Sequence, residues 1–434
     1  MNRLSDAGAA AAGFFRFSLS AGTMVQMLFL AFFLTDACRI PAAAAAAVLF
    51  LSRAADLILH LFTGDVFEKC RLKEKHRFFL RISRWILIFS LFAEFTFLRN
   101  AGPGPVLALA FIGFVLHNTA YSFSDTAYKT ALPVLSYNDP DKRMQVIFAG
   151  MHWQFVSRLV IPAVSVFLIV KFSAVLGPAG YTAAAVICCI PHIFASQYVS
   201  SVLKKADPDG TSAGYFRRAR AGEILKALFR DRQTAVLLVV FTLYYTALMM
   251  EIILMPYYYA RIVGNLLLFG AGFAVSMVIR RIFTFYMPEV SRKLGKKKAL
   301  VAGLLGAAVF TLIKYFARAN WMTAVATASL SMAFASLFTD IGTRYFEDGA
   351  TAYHKRTGRS LRPAAAFMAG LAVRLGFLFG SVFALCSLSA IGYTPDMVFT
   401  PELTMTFMTC WVRFPAVLLI AGAVISVFGL SSSS

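Results

Sequence analysis

Apolar residues along this chain come in runs of about twenty, the length a helix needs to cross a bilayer core of about 30 Å. Twelve such stretches can be read, at about residues 13–35, 41–63, 78–98, 104–135, 144–170, 179–203, 233–258, 264–288, 299–317, 321–349, 363–391 and 403–430. Runs such as VLLVVFTLYYTALMMEIILMPYYY do not alternate apolar with polar residues, so they predict helices and not barrel strands. The longest polar interruption covers residues 204–232, which are basic and include Pro208 and Gly210. Its second half, from Ala221 to Arg232, reads as a short amphipathic helix with Ile224, Leu225 and Leu228 at helical spacing. The expected organisation is an N-terminal six-helix bundle over 1–203, a cytoplasmic central loop over 204–232 and a C-terminal six-helix bundle over 233–434.

Composition supports the same class. Of 434 residues, 59% are hydrophobic and 15% charged, against about 45–50% and about 25% in soluble domains. A soluble enzyme, a disordered chain and a disulfide scaffold are thereby excluded. Lys and Arg number 42 against 21 Asp and Glu, a net charge of +21. Twenty-four of these cations fall in loops after even-numbered stretches, between Lys69 and Arg362, and 5 in loops after odd-numbered ones. Positive residues mark cytoplasmic loops, so both termini are expected in the cytoplasm, with the chain multi-pass in the cell (inner) membrane. Because the cations are spread over five short loops, they predict contact with anionic lipid and no nucleic-acid partner. The first apolar stretch is too long for a cleavable signal peptide and has no distinct cleavage site.

The six Cys form no CxxC pair and have no His at zinc spacing, so no metal site or disulfide framework is expected. No GxSxG, HExxH or GxxxxGK[ST] motif is present. The chain is therefore read as no enzyme, with no cofactor, and its transport as gradient-driven. The expected partners are a small-molecule substrate and the lipid bilayer, and the expected state is a monomer.

Several motifs carry a family resemblance. SRAADLILHLFTGD contains Arg53, Asp56, His60 and Gly64; DTAYKTALPVLSYNDPDKR contains Asp125, Tyr128, Ala131, Leu132, Pro133, Asp139 and Arg143; RKLGKKKALVAG and HKRTGRS with AVRLGFLFG follow in order. Together they resemble the second helix, the fourth helix with its following loop, the eighth-to-ninth loop, and the tenth-to-eleventh loop with the eleventh helix of the glycoside–pentoside–hexuronide cation symporters. This is the melibiose-permease-like family of the major facilitator superfamily. The resemblance implies an all-α polytopic membrane protein of the major facilitator fold, twelve transmembrane helices in two six-helix halves. It also implies alternating access around a site near the membrane midplane.

The same resemblance assigns roles by position. Asp56 occupies the first of the family's two sodium-site carboxylates, and His60 replaces the second. With Arg53, these two form the expected cation-coupling group. An imidazole one turn from a carboxylate suits H+, since its unperturbed pKa is about 6.5; Na+ at Asp56 stays open, as does a purely structural pairing of Asp56 with Arg53 or Arg374. Substrate candidates are Asp125, Tyr128, Lys129, Arg374, Ser20 and Trp153. Ser20 and Lys129 stand where melibiose permease holds a carboxylate and a stacking aromatic. Asp125 and Lys129, at i and i+4, could equally form an intrahelical pair. Asp65, Glu289, Arg292, Arg143 and Asp340 are gating candidates, Asp340 within a network that would include Arg344, Glu347 and Asp348. Simple positive-inside topology also accounts for the basic turns after Asp65 and Glu289. Glu251, His117 and Asn118 are isolated polar residues in apolar runs. The function expected is cation symport of a sugar, glycoside or sugar acid, with transport of a lysophospholipid or other amphiphile as the alternative.

Overall fold

The structure, a computed structural model, describes residues 2–99, 101–137, 139–207, 232–357 and 362–430. The amphipathic helix expected at the end of the central loop lies almost wholly outside these residues, as do the side chains of Glu347 and Asp348.

Among the described residues every regular element is helical. A backbone in hydrocarbon must satisfy its own N–H and C=O groups, and a helix does this within one segment. The first six helices are α1 (Asn2–Phe32), α2 (Ala42–Lys69), α3 (Lys75–Glu94), α4 (Pro103–Leu135), α5 (Pro140–Leu176) and α6, which runs as Ala179–Cys189 and then Pro191–Ala206. Pro191 separates the two segments of α6, because its ring takes away a backbone donor. The next six are α7 (Arg232–Tyr257), α8 (Leu267–Leu294), α9 (Lys296–Ile313), α10 (Trp321–Thr357), α11 (Arg362–Ala390) and α12, which runs as Pro401–Met408 and Phe414–Gly429. Eleven of the described helices are long and apolar enough to cross a membrane. The exception, α3, carries Lys75, Arg77, Arg81 and Arg84 in its first half and is mostly apolar from Trp85 to Ala93.

Local chemistry sets several helix ends. Pro103 and Pro140 open α4 and α5, where a missing N–H costs nothing. Asp139, one of the motif residues, is the N-cap of α5: its carboxylate accepts from the backbone N–H groups of Asp141 and Lys142. Gly177 ends that helix at a φ of 59°. Turns of π-helix extend α1 over Phe33–Ala37 and α7 over Tyr258–Ile262, and a third joins the two segments of α12 over Thr409–Arg413.

Contacts divide the chain into two units, Met1–Cys38 with Ala54–Arg217, and Arg39–Arg53 with Arg218–Ser434. In the first, α1 packs chiefly on α5, and α3 on α4. In the second, α7 packs on α11 and α12, and α10 on α8 and α9. The start of α2 belongs to the second unit, where Arg39 makes a bidentate pair with Asp396 at 2.9 and 3.0 Å. Helices α1, α7 and α10 bury most of their surface, whereas α2 and α5 leave most of theirs outside. Large apolar side chains such as Phe89, Val175, Phe285 and Phe428 are exposed, as suits a lipid-facing surface.

Candidate substrate site

A polar cluster of the first unit is built on α1, α4 and α5. Asp125 lies on α4 with Lys129 one turn later. Lys129 Nζ stands 2.6 Å from Asp125 Oδ2, while Arg16 of α1 donates to Asp125 Oδ1. Each carboxylate oxygen thus has its own cation. The second guanidinium nitrogen of Arg16 donates to Gln154 Oε1 of α5 at 2.8 Å. The guanidinium also lies 5.7 Å from the Tyr128 ring, which stacks on Phe15 with centroids 5.0 Å apart.

Gly150 makes this convergence of three helices possible. A Cβ there would sit 2.8 Å from Tyr128 Oη and 3.1 Å from Arg16 Cγ. Gln154 follows one turn after Gly150, so the close approach of α5 is what brings its amide to Arg16.

Exposure separates the members. The side chains of Arg16 and Asp125 are each 16% exposed, and that of Lys129 is 61% exposed. The cluster holds two cations and one anion, and its surplus charge sits on the side chain most open to its surroundings. Such an arrangement can present an ammonium to an anionic or hydroxylated solute, with Asp125 saturated by its two partners.

Other positions expected from the sequence are placed as follows. Ser20 is buried on α1, one turn after Arg16. Trp153 neighbours Gln154 but is 46% exposed and makes an edge contact with Phe17. Asp56 and His60 are half-buried one turn apart on α2. Arg53, in the second unit, lies 5.6 Å from the Phe377 ring. Arg374 is half-buried on α11, with a guanidinium nitrogen over Gly370. Of the gating candidates, Glu289 pairs within its own helix with Arg292 at 2.8 Å and Lys293 at 3.3 Å. Asp65 and Arg143 are half-buried. Asp340 is exposed on α10, within the electrostatic reach of Arg280, Arg281 and Arg344.

Sequence reading missed Arg16 and Gln154. Arg16 had a signal, as a lone cation inside AGFFRFSLSAG. Gln154 had none, because an amide in a helix has no signature without its partner.

Glu251 does not stand alone. Lys314, in the 3-10 turn that ends α9, reaches its Oε2 at 2.9 Å, and Thr311 donates to its Oε1 at 3.0 Å. The ammonium lies 4.3 Å from the centroid of Trp411, whose indole N–H donates to the Glu251 carbonyl. Lys314 is wholly buried. Its place at the end of an apolar run disguised it as a boundary residue.

Long apolar helices in two bundles, with charged clusters held inside each, define a multi-pass membrane transporter of the major facilitator fold. The sequence profile described as MFS/sugar transport protein matches residues 7–430, and the chain belongs to that family. It is a transporter and not an enzyme. Among solved structures it is similar to the nucleoside transporter NupG, at 12% identity and a TM-score of 0.69, covering 99% of this chain and 100% of that one. A D-xylose-proton symporter matches at 13% identity and a TM-score of 0.70, covering 99% and 97%. A bacterial homologue of the iron transporter ferroportin, in an inward-facing state, matches at 12% identity and a TM-score of 0.71, covering 98% of each chain. At these identities the likeness is one of fold. No curated protein sequence matches.

Proposed function

We propose that the chain is a melibiose-permease-like symporter that moves a small polar solute, a sugar, glycoside or sugar acid, together with H+. The observation that carries this reading is the Arg16–Asp125–Lys129–Gln154 cluster, a charged group inside a helix bundle. An ionisable side chain at membrane depth costs several kcal/mol and is retained for function. The nucleoside transporter and the D-xylose-proton symporter among the structural neighbours give a polar, hydroxylated solute further support. The surplus cation favours a solute that carries a negative group, so a sugar acid ranks above a neutral galactoside. Coupling is assigned to Asp56 with His60 one turn away, and a transport rate that follows the pH gradient more than the Na+ gradient is the expected behaviour.

Uptake by proteoliposomes tests this directly, with a panel of neutral sugars, sugar acids, nucleosides and a lysophospholipid. A sugar acid should be concentrated under an inward pH gradient, and Lys129→Ala should weaken its binding tenfold or more. Uptake confined to the lysophospholipid would replace the sugar reading. Equal binding by the parent and Lys129→Ala would move the site away from this cluster.

A further inference from the structure

A second polar cluster in the first unit plays no part in the solute reading. Glu94 ends α3 with a side chain that is wholly buried. Its Oε1 accepts from Gln26 Nε2 of α1 at 2.8 Å, and His117 Nδ1 of α4 stands 4.0 Å from the same oxygen. Gln26 Oε1 in turn accepts from Asn118 at 3.5 Å. Gly113 gives the carboxylate its room, since a Cβ there would meet Glu94 Cγ at 2.7 Å.

The Ser90 hydroxyl, 2.8 Å from the Leu87 carbonyl oxygen and 3.3 Å from His117 Nδ1, ties the imidazole to α3. Nε2 is buried and meets no hydrogen-bond partner among the described residues. Of the titratable groups packed around the pair, Cys189 of α6 faces Glu94 and His192 of α6 faces His117; Arg84 of α3 acts in turn on His192.

The second unit repeats this arrangement with different charges. Gln26 and Glu251 each lie seven residues before the π-turn that extends their helix. Glu94 ends α3 as Lys314 follows α9. Ser90 bridges α3 to His117 of α4, and Thr311 bridges α9 to Ser331 of α10 at 2.9 Å. In the second unit a carboxylate meets an ammonium, and two permanent charges cancel. In the first, the corresponding contact joins a carboxylate to a neutral amide, with an imidazole beside it that is charged only when protonated. A buried ion pair suffices for packing, whereas a carboxylate between an amide and an imidazole changes charge whenever it takes up a proton.

We propose that Glu94, set between Gln26 and His117, is a proton-binding site of this transporter. H+ adds to an oxygen of the Glu94 carboxylate to form an O–H bond, and no other bond changes. The site shares no residue with the Asp125 cluster or with the pair Asp56 and His60. The proposal does not depend on which solute is carried.

Infrared difference spectra of the purified full-length protein, recorded across a pH titration without any solute, test it. Among the bands of its 21 acidic residues, the parent should show a carboxylic C=O band of Glu94 that titrates and shifts in D2O. Glu94→Gln should remove that band, and His117→Gln should move its midpoint by about one pH unit. Should Glu94→Gln fail to fold, Gln26→Ala provides a second reading, because losing the donor to Oε1 must shift the frequency of the band. A spectrum identical in the parent and Glu94→Gln overturns the proposal, as does a band that moves in neither His117→Gln nor Gln26→Ala.

Discussion

Two buried carboxylates show how partners decide the role of a residue. Glu251 is held by Lys314 and Thr311, one at each carboxylate oxygen, and the Lys314 ammonium lies against the Trp411 ring. Removing one member of a buried pair costs about 3–5 kcal/mol, whereas replacing both by apolar groups of similar volume is often neutral. Lys314→Met should therefore lower the denaturation temperature sharply, and Lys314→Met with Glu251→Leu should recover much of it. Thermal unfolding in detergent measures both; equal losses in the single and double variants would remove the pair as the cause. Lys129 presents the opposite case. Its pair with Asp125 is an i,i+4 contact of an exposed side chain, worth about 0.5 kcal/mol or less. Lys129→Ala should leave the melting temperature nearly unchanged while solute binding falls, a combination that a purely structural lysine would not give.

Among the helices, close approach is set by small residues at particular turns. Gly150 lets α5 lie against Arg16 and Tyr128, and Gln154 reaches the guanidinium as a result. Gly150→Ala should push α5 outward, lengthen the Arg16–Gln154 contact and destabilise by about 1–3 kcal/mol through overpacking. Melting temperature and solute affinity should fall together, and a variant with parental affinity would show that α5 does not position the cluster. Apolar periodicity predicts that α4 and α5 exist, and Pro103 and Asp139 fix their starts. Neither signal says which turn of one helix meets which turn of the next. Arg16 could be seen as an odd cation in the sequence, but its attachment to Asp125 could not, because 109 residues separate them.

At the scale of the whole molecule, the cations between Lys69 and Arg362 predict that both termini and the central loop face the cytoplasm. Cysteines introduced in residues 204–232 should be labelled in inside-out vesicles and not from outside intact cells; labelling from outside would reverse the orientation. The native Cys38 interferes little, since burial pushes its thiol up to about 12 and maleimide reacts with the thiolate. Its labelling should stay slow at neutral pH and rise as the medium becomes more alkaline. Coupling is also a property of the whole molecule. Asp56→Asn should abolish concentrative uptake while leaving downhill exchange, as read in proteoliposomes with and without a pH gradient; undiminished uphill transport would confine Asp56 to a structural role.

The sequence by itself determined the class of this protein. Twenty-residue apolar runs have one stable solution in a bilayer, the helix, and their number and the basic loops between them fix the polytopic layout. It also brought Asp125 and Lys129 together, because a helix places i and i+4 on one face. Only the tertiary structure decided what those charges meet. Arg16 and Gln154 join Asp125 from other helices, Lys314 turns the isolated Glu251 into a neutral pair, and Glu94 finds an amide and an imidazole. Periodicity is a local property of the chain, but charge balance in a low-dielectric interior depends on side chains far apart in sequence, and packing alone selects which of them touch.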